Sequence, residues 1–284
     1  LYGWQAPTLY GKVWEVVSMA ERPLEERIDA IAAVAMQDPP HVDGWKALLA
    51  ADEVAIVRMT LRTMKQLAGN DEVKAMLLAV GGQLVKQDES LKPELTSVLT
   101  LFGVDDAERT SMGLTPSLST VDRSQIMADA LGKLPTGHTE LGRIAFDQLG
   151  CSSCHNVTGQ KASFGPALKD IGKAVAVNYI IESVLFPSKV IKDGFDLERV
   201  TLADGSTEDG IVETHGDDYV IVRAVNDEIR VPRIEVTSRD KLSQSPMPDL
   251  VLDGVSIGEL TDLLAYLVSQ GGDPQAAHAA AGSN

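Results

Sequence analysis

Cys151-Ser152-Ser153-Cys154-His155 is the stretch from which the rest of the chain can be worked outward. Two cysteines three positions apart lie one helical turn from each other and can form thioethers with the two vinyl groups of a porphyrin. The histidine that follows then points its imidazole at the iron as the proximal ligand. These are the only two cysteines in 284 residues, so no second pair exists to complete a zinc site. A thioredoxin-type dithiol needs a βαβ context that the surrounding pattern lacks. The motif therefore implies one covalent haem c held by Cys151, Cys154 and His155, with a redox dithiol or a chance match as the alternatives.

Composition sets the frame. The length suits about two domains, the apolar fraction of 44% is ordinary, and no apolar run approaches the ~20 residues of a membrane span. A formal charge of −16, from 41 acidic and 25 basic residues, disfavours a nucleic-acid partner, whose phosphates it would repel. The chain starts at Leu1 with no basic-then-apolar leader, which reads as a mature or excised chain whose targeting segment is absent. Covalent haem attachment follows export, so the expected location is extracytoplasmic.

From Gly11 to Gly103 apolar residues recur at helical spacing in blocks of about 10 to 18 residues. The breaks fall at Asp38-Pro39-Pro40, Ala68-Gly69-Asn70 and Asp88-Glu89-Ser90. Asp43, Asp52, Asp71 and Ser90 occupy expected N-cap positions. The run Val54 to Arg58, leading into Leu61 and Leu67, resembles the second helix of a HEAT-type repeat, with an ordinary helical bundle as the other reading. Trp4, Trp14 and Trp45, with Met19, Met36, Met59, Met64 and Met76, are expected core fillers. Residues 1–115 thus form a helical-repeat-like domain. Residues 116–137 read as a linker with one short helix near Gln125 to Leu131, 138–271 as a second domain, and 272–284 as a flexible tail.

In that second domain Thr139 to Leu149 should be a helix carrying Gly142 and Phe146 one turn apart. Ser256-Ile257-Gly258-Glu259 is a capping box that opens a last helix with Leu260, Leu263, Leu264, Tyr266 and Leu267 on its apolar stripe. Here the residues resemble c-type cytochromes, in which a first helix like that of Gly142 and Phe146 crosses a last helix like that of Leu263 and Tyr266. Phe164-Gly165-Pro166-Ala167-Leu168 resembles the cytochrome loop in which a proline carbonyl accepts the proximal histidine's ring N–H. The resemblance implies that role for Pro166, fixing tautomer and ring orientation. It also gives Phe146, Leu168 and Tyr266 a part in excluding water from the haem.

An electron-transfer haem usually fills its sixth position, and methionine there raises the potential relative to a second histidine. Of eight methionines only Met247 follows the motif, in the stiff stretch Ser243-Gln244-Ser245-Pro246-Met247-Pro248 just before the last helix. Met247 is the expected sixth ligand. An open iron, or ligation by His215 in the acidic turn Glu213 to Asp218, is the competing assignment. His41, His138 and His278 read as bland surface positions.

Met247 lies 92 positions after His155, far more than in small cytochromes of this kind. Runs at Glu198 to Leu202, Tyr219 to Val222, Glu228 to Val231 and Ile234 to Thr237 are separated by Asp204-Gly205, His215-Gly216 and Asn226-Asp227. They predict a small antiparallel β insertion over about 195–240. That segment holds 12 acidic and 5 basic side chains. The preceding segment, 116–194, is near neutral, and Lys161, Lys169 and Lys173 lie close to Pro166 in sequence. They either rim a haem edge and steer an acidic partner, or are solvated lysines on a helix face.

The whole arrangement resembles the haem-binding domain of planctomycete and verrucomicrobial bacteria that commonly follows HEAT-like helices. The matching residues are Cys151 to His155, Gly165-Pro166 with Leu168, Glu182-Ser183 through Pro187-Ser188, Asp204-Gly205, Ser245 with Met247-Pro248, and Asp262 to Leu267. They cover roughly 138 to 270. What the resemblance implies is a mainly α chain, a HEAT-like array followed by a class I-like cytochrome c domain with a β insertion, in a bacterial extracytoplasmic setting. The implied function is one-electron transfer between redox partner proteins, as a subunit or domain serving a dehydrogenase or respiratory complex docked through the N-terminal helices. No substrate chemistry is implied, because no β-propeller dehydrogenase module is present. A haem enzyme or gas sensor with an open sixth position, and a structural docking subunit, are the other function classes.

Overall fold

The computed structural model describes residues 7–34, 42–160, 164–224 and 227–271. Trp4, Met36, the Asp38-Pro39-Pro40 break, His41, Lys161, Asn226 and His278, with the tail from 272, lie outside the described residues. The chain divides into two compact units. One comprises residues 1–145 and 251–266, the other 146–250 and 267–284.

The first unit is helical. Its N-terminal part is α1 (Pro7–Ser18), α2 (Leu24–Val34), α3 (Val42–Leu49), α4 (Val54–Met64), α5 (Asp71–Gln87) and α6 (Lys92–Leu101). These helices pack as successive pairs, α1 on α2, α3 on α4 and α5 on α6, while α2, α4 and α6 contact one another in sequence and α3 contacts α5. Each helix has one apolar stripe, and stacking the pairs buries those stripes in one continuous core. Ile28, Ile31, Trp45, Ile56, Met59, Leu61, Met64, Leu77, Leu95 and Leu99 fill that core. Trp14 meets Trp45 edge to face at 5.4 Å. The expectation of tryptophan and methionine core fillers is met by Trp45, Met59, Met64 and Met76, while Met19 is half-buried.

The helix starts are offset from the sequence reading. Asn70, not Asp71, caps α5, its side chain accepting from the Val73 N–H at 3.0 Å. Asp71 becomes the first helical residue, where its charge complements the exposed N–H groups. Glu53 stands at the α4 N-cap without a side-chain cap bond, and Asp88 rather than Ser90 caps the short 3-10 turn before α6.

Beyond α6 the first unit continues with α7 (Asp106–Ser111), α8 (Arg123–Lys133) and α9 (Thr139–Gln148), and α12 (Ile257–Ser269) returns to it late in the chain. The α8 helix spans the stretch expected near Gln125 to Leu131 and buries Ile126 and Ala130. The capping box at the start of α12 forms: the Glu259 N–H donates to Ser256 Oγ at 2.9 Å and the Ser256 N–H to Glu259 Oε2 at 3.5 Å. At Gly142 of α9 an added Cβ would fall 1.9 Å from the Asp262 carbonyl oxygen and 2.7 Å from Tyr266 Cβ. Only glycine lets α9 and α12 approach so closely, as the sequence predicts for Gly142 and Tyr266.

Arg62 on α4 is 1% exposed and pairs with Glu94 on α6 at 2.9 Å and with Asp262 on α12 at 2.8 Å. Burial alone would lower its pKa, but the carboxylates of Asp262, Glu94 and Glu259 outweigh it and hold the guanidinium charged. Lys65 adds bonds to the Gly254 carbonyl and to Glu259, so the α12 entry is fixed to α4 by charge as well as by packing.

The second unit holds α10 (Ile171–Ala174), α11 (Val177–Leu185) and an antiparallel sheet. The strands are β1 (Glu198–Leu202), β2 (Thr207–His215), β3 (Tyr219–Arg223), β4 (Glu228–Pro232) and β5 (Val236–Lys241), in the spatial order β4-β3-β2-β1-β5. Val200, Val220, Val222 and Val231 form the buried face. The β insertion expected from sequence is there, with one strand more than its four runs and with Arg233–Glu235 turned into a 3-10 turn ahead of β5. No helix among the described residues is long and apolar enough to cross a membrane.

Candidate functional site

The site is assembled within the second unit from two loops laced together by backbone hydrogen bonds. Gly150, at φ +80°, ends the α9 chain direction in a left-handed residue and starts the 3-10 turn Cys151–Ser153. The His155 N–H donates to the Cys151 carbonyl at 2.9 Å, closing one turn around the motif. The second loop is fixed to the first at both ends: the Gly165 N–H donates to the Cys154 carbonyl at 2.9 Å and the Leu168 N–H to the Asn156 carbonyl at 2.7 Å.

This lacing brings the Pro166 carbonyl against the His155 ring. His155 Nδ1 lies 2.8 Å from the Pro166 carbonyl oxygen. A carbonyl can only accept, so Nδ1 carries the proton and donates, and Nε2 keeps its lone pair. Gly165 lies flat against the same ring, where an added Cβ would come 2.6 Å from His155 Cε1 and 2.8 Å from Nδ1. The imidazole is thus held on one edge by a hydrogen bond and on one face by bare backbone. Burial lowers its pKa, partly opposed by the bond to Pro166, so the ring is biased toward the neutral form a metal requires.

Cys151 and Cys154 are both free thiols and both half-buried. Burial pushes the Cys151 thiol up to about 11. A redox-active dithiol works through a depressed thiol pKa, and burial at Cys151 acts in the opposite direction. Among the described residues no group of three or more His, Cys, Asp or Glu side chains could hold a metal ion by itself. One imidazole to ligate the iron and two thiols to bond the porphyrin's vinyl carbons are what a covalently attached haem requires, and the residues present fit that group.

The other expected residues distribute as follows. Phe146 is buried, Leu168 is half-buried in the second loop, and Tyr266 is half-buried in the first unit, against Gly142. Met247 is half-buried, and its N–H donates to Ser245 Oγ at 3.1 Å. His215, the competing ligand, is the exposed last residue of β2 rather than a turn residue; its ring stacks on Tyr219 at 5.0 Å, and Arg230 covers Tyr219 at 3.4 Å. That stack occupies His215 on the sheet. His138 is exposed, and its N–H donates to Asp262. Two contributors were not singled out for a role in the sequence reading: Gly165, quoted only as part of Phe-Gly-Pro, and Ser188, 57 residues from the Ser245 N–H it accepts. No protein-family model matches the chain and no curated protein matches it.

Proposed function

We propose that the chain is a monohaem c-type cytochrome that passes single electrons between protein partners. The observation that carries this reading is the His155 ring, seated on Gly165 and bonded through Nδ1 to Pro166, with its second nitrogen available beside two unpaired thiols. Cys151 and Cys154 would tether the haem as two thioethers. His155 and Met247 ligate, and Pro166 orients. Phe146 and Leu168, both in the second unit, would limit water. Haem bound here would supply an iron that changes oxidation state by one electron, and this chain's residues would set its potential and its access.

The finer architecture belongs to the same proposal. Successive helix pairs, with α2 against α4 and α4 against α6, support a HEAT-like array over residues 1–115. The close approach of α9 and α12 at Gly142 supports a class I-like cytochrome domain over 138–271, of the planctomycete and verrucomicrobial type. An extracytoplasmic bacterial location and docking through the N-terminal helices to a dehydrogenase or respiratory complex complete it.

The test is export of the full chain into an oxidising compartment together with a haem-attachment system. Haem should stay with the polypeptide on a denaturing gel, and Cys151→Ala with Cys154→Ala should abolish it; no covalent haem in the parent chain defeats the proposal. Prompt carbon monoxide binding by the reduced protein would replace the His/Met assignment with an open sixth position.

A further inference from the structure

The five strands pose a mechanical problem for the proposed cytochrome: Met247 follows all of them in the chain, yet a sixth ligand must arrive in one geometry. Three contacts down the base of the sheet solve it. Strands β1 and β5 pair with Glu198 opposite Lys241, and the Leu242 N–H donates to the Leu197 carbonyl at 2.8 Å, carrying the pairing one step past the strands. Farther along, where the two stems leave the sheet, the Ser245 N–H donates to Ser188 Oγ at 3.0 Å. Ser245 is itself buried, and its Oγ accepts the Met247 N–H at 3.1 Å. Ser188 lies three residues past the end of α11 at Leu185 and Ser245 precedes Met247 by two residues, so the chain from Ser188 to Met247 is a loop closed at its base by two hydroxyls in series. Pro246 and Pro248 restrict the backbone on both sides of the methionine.

We propose that Ser188 and Ser245 are positioning residues for Met247, forming a clamp that makes the long gap between the two axial ligands behave as a short one. The proposal rests on the His/Met cytochrome reading. Without the clamp the insertion's stems are tied only at the sheet, and the fraction of molecules with the methionine detached rises. Losing one such bond shifts that equilibrium by about five- to tenfold.

The experiment uses the holoprotein and three readouts: the sulfur-to-iron absorption band of the oxidised form with the pH at which it disappears, the reduction potential, and the rate of carbon monoxide binding to the reduced form. Met247→Ala should abolish the band; if the parent protein has no such band, the cytochrome reading of Met247 fails and the clamp with it. If the parent has the band and Met247→Ala lacks it, Ser188→Ala and Ser245→Ala decide the clamp. Both should keep the covalent haem, lose the band at lower pH than the parent, lower the potential and speed carbon monoxide binding about five- to tenfold. Ser188→Thr, which keeps the hydroxyl, should behave as the parent. Unchanged band, potential and carbon monoxide rate in the alanine variants overturn the clamp while leaving the ligand assignment intact. Ser188 is exposed, so Ser188→Ala settles the matter alone should Ser245→Ala not fold.

Discussion

Two side chains and one missing side chain govern the chemistry at the scale of single residues. Gly165 has an ordinary backbone conformation, since it is not among the glycines at positive φ, so alanine there strains nothing locally. Its Cβ would nevertheless fall inside the His155 ring's contact distance, and the ring would have to shift away from the Pro166 carbonyl. A hydrogen bond from Nδ1–H to a carbonyl makes the imidazole a stronger donor. Gly165→Ala should therefore raise the reduction potential of the holoprotein, with the haem still covalently attached; a potential equal to the parent's would show that the contact does not tune the site. Cys151 is the second case. Its thiol is pushed up to about 11 by burial, so the protonated form is favoured in the folded chain. The stability this contributes is fully present below the ordinary thiol range and is lost as pH rises toward about 11. In haem-free chain, Cys151 should alkylate far more slowly near neutral pH than in urea, and mass mapping of the labelled cysteines over time checks it.

Among the elements, α12 shows how a polar network can fix a helix in place. Arg62 stands between Glu94 and Asp262 with all three side chains out of solvent, and Asp262 Oδ1 also accepts the His138 N–H at 2.7 Å. Such a triad adds little net stability relative to an apolar replacement, but removing one member strands the others. Arg62→Met should cost about 3 to 5 kcal/mol in denaturant unfolding. Adding Glu94→Gln and Asp262→Asn, which remove the stranded charges while keeping an acceptor for His138, should recover much of that loss. A single variant that unfolds like the parent would contradict the buried-pair account. The elements themselves differ in how far they were legible in sequence. The helices of the first unit carry 3.6-residue stripes and could be read directly, and β1, β3 and β4 follow from β-branched runs. The β2 strand was missed because Thr207-Glu208-Asp209-Gly210 shows no apolar alternation; its place in the sheet comes from pairing with β1 and β3 on either side. Cap positions shifted by one or two residues because Asn70 and Asp88 compete with neighbouring side chains that could serve equally well. At the site, the motif and Pro166 are local in sequence and visible there. The Ser188 contact joins residues 57 positions apart through a sheet, and nothing in the pattern announces it.

For the molecule as a whole, charge would govern how the proposed partner arrives. The chain carries −16, yet the residues flanking the site loops include Lys169 and Lys173, both outside the acidic sheet; Lys161, the third lysine of the set, lies outside the described residues. The Lys169 side chain lies along Gly159, where an added Cβ would meet its Cδ at 2.6 Å, so its stem is laid against the motif loop. Local positive charge on an acidic body would bias the orientation in which a partner with an acidic patch approaches. Reversing Lys161, Lys169 and Lys173 to glutamate should then slow the second-order rate of electron transfer with an acidic partner at low salt. The difference should shrink as salt rises past ~0.15 M, where the screening length falls to ~8 Å. The reduction potential and the absorption spectrum should stay those of the parent, because the substitutions touch approach and not ligation. Stopped-flow mixing across a salt series makes the measurement, and equal low-salt rates for parent and variant would place the lysines on an ordinary solvated surface.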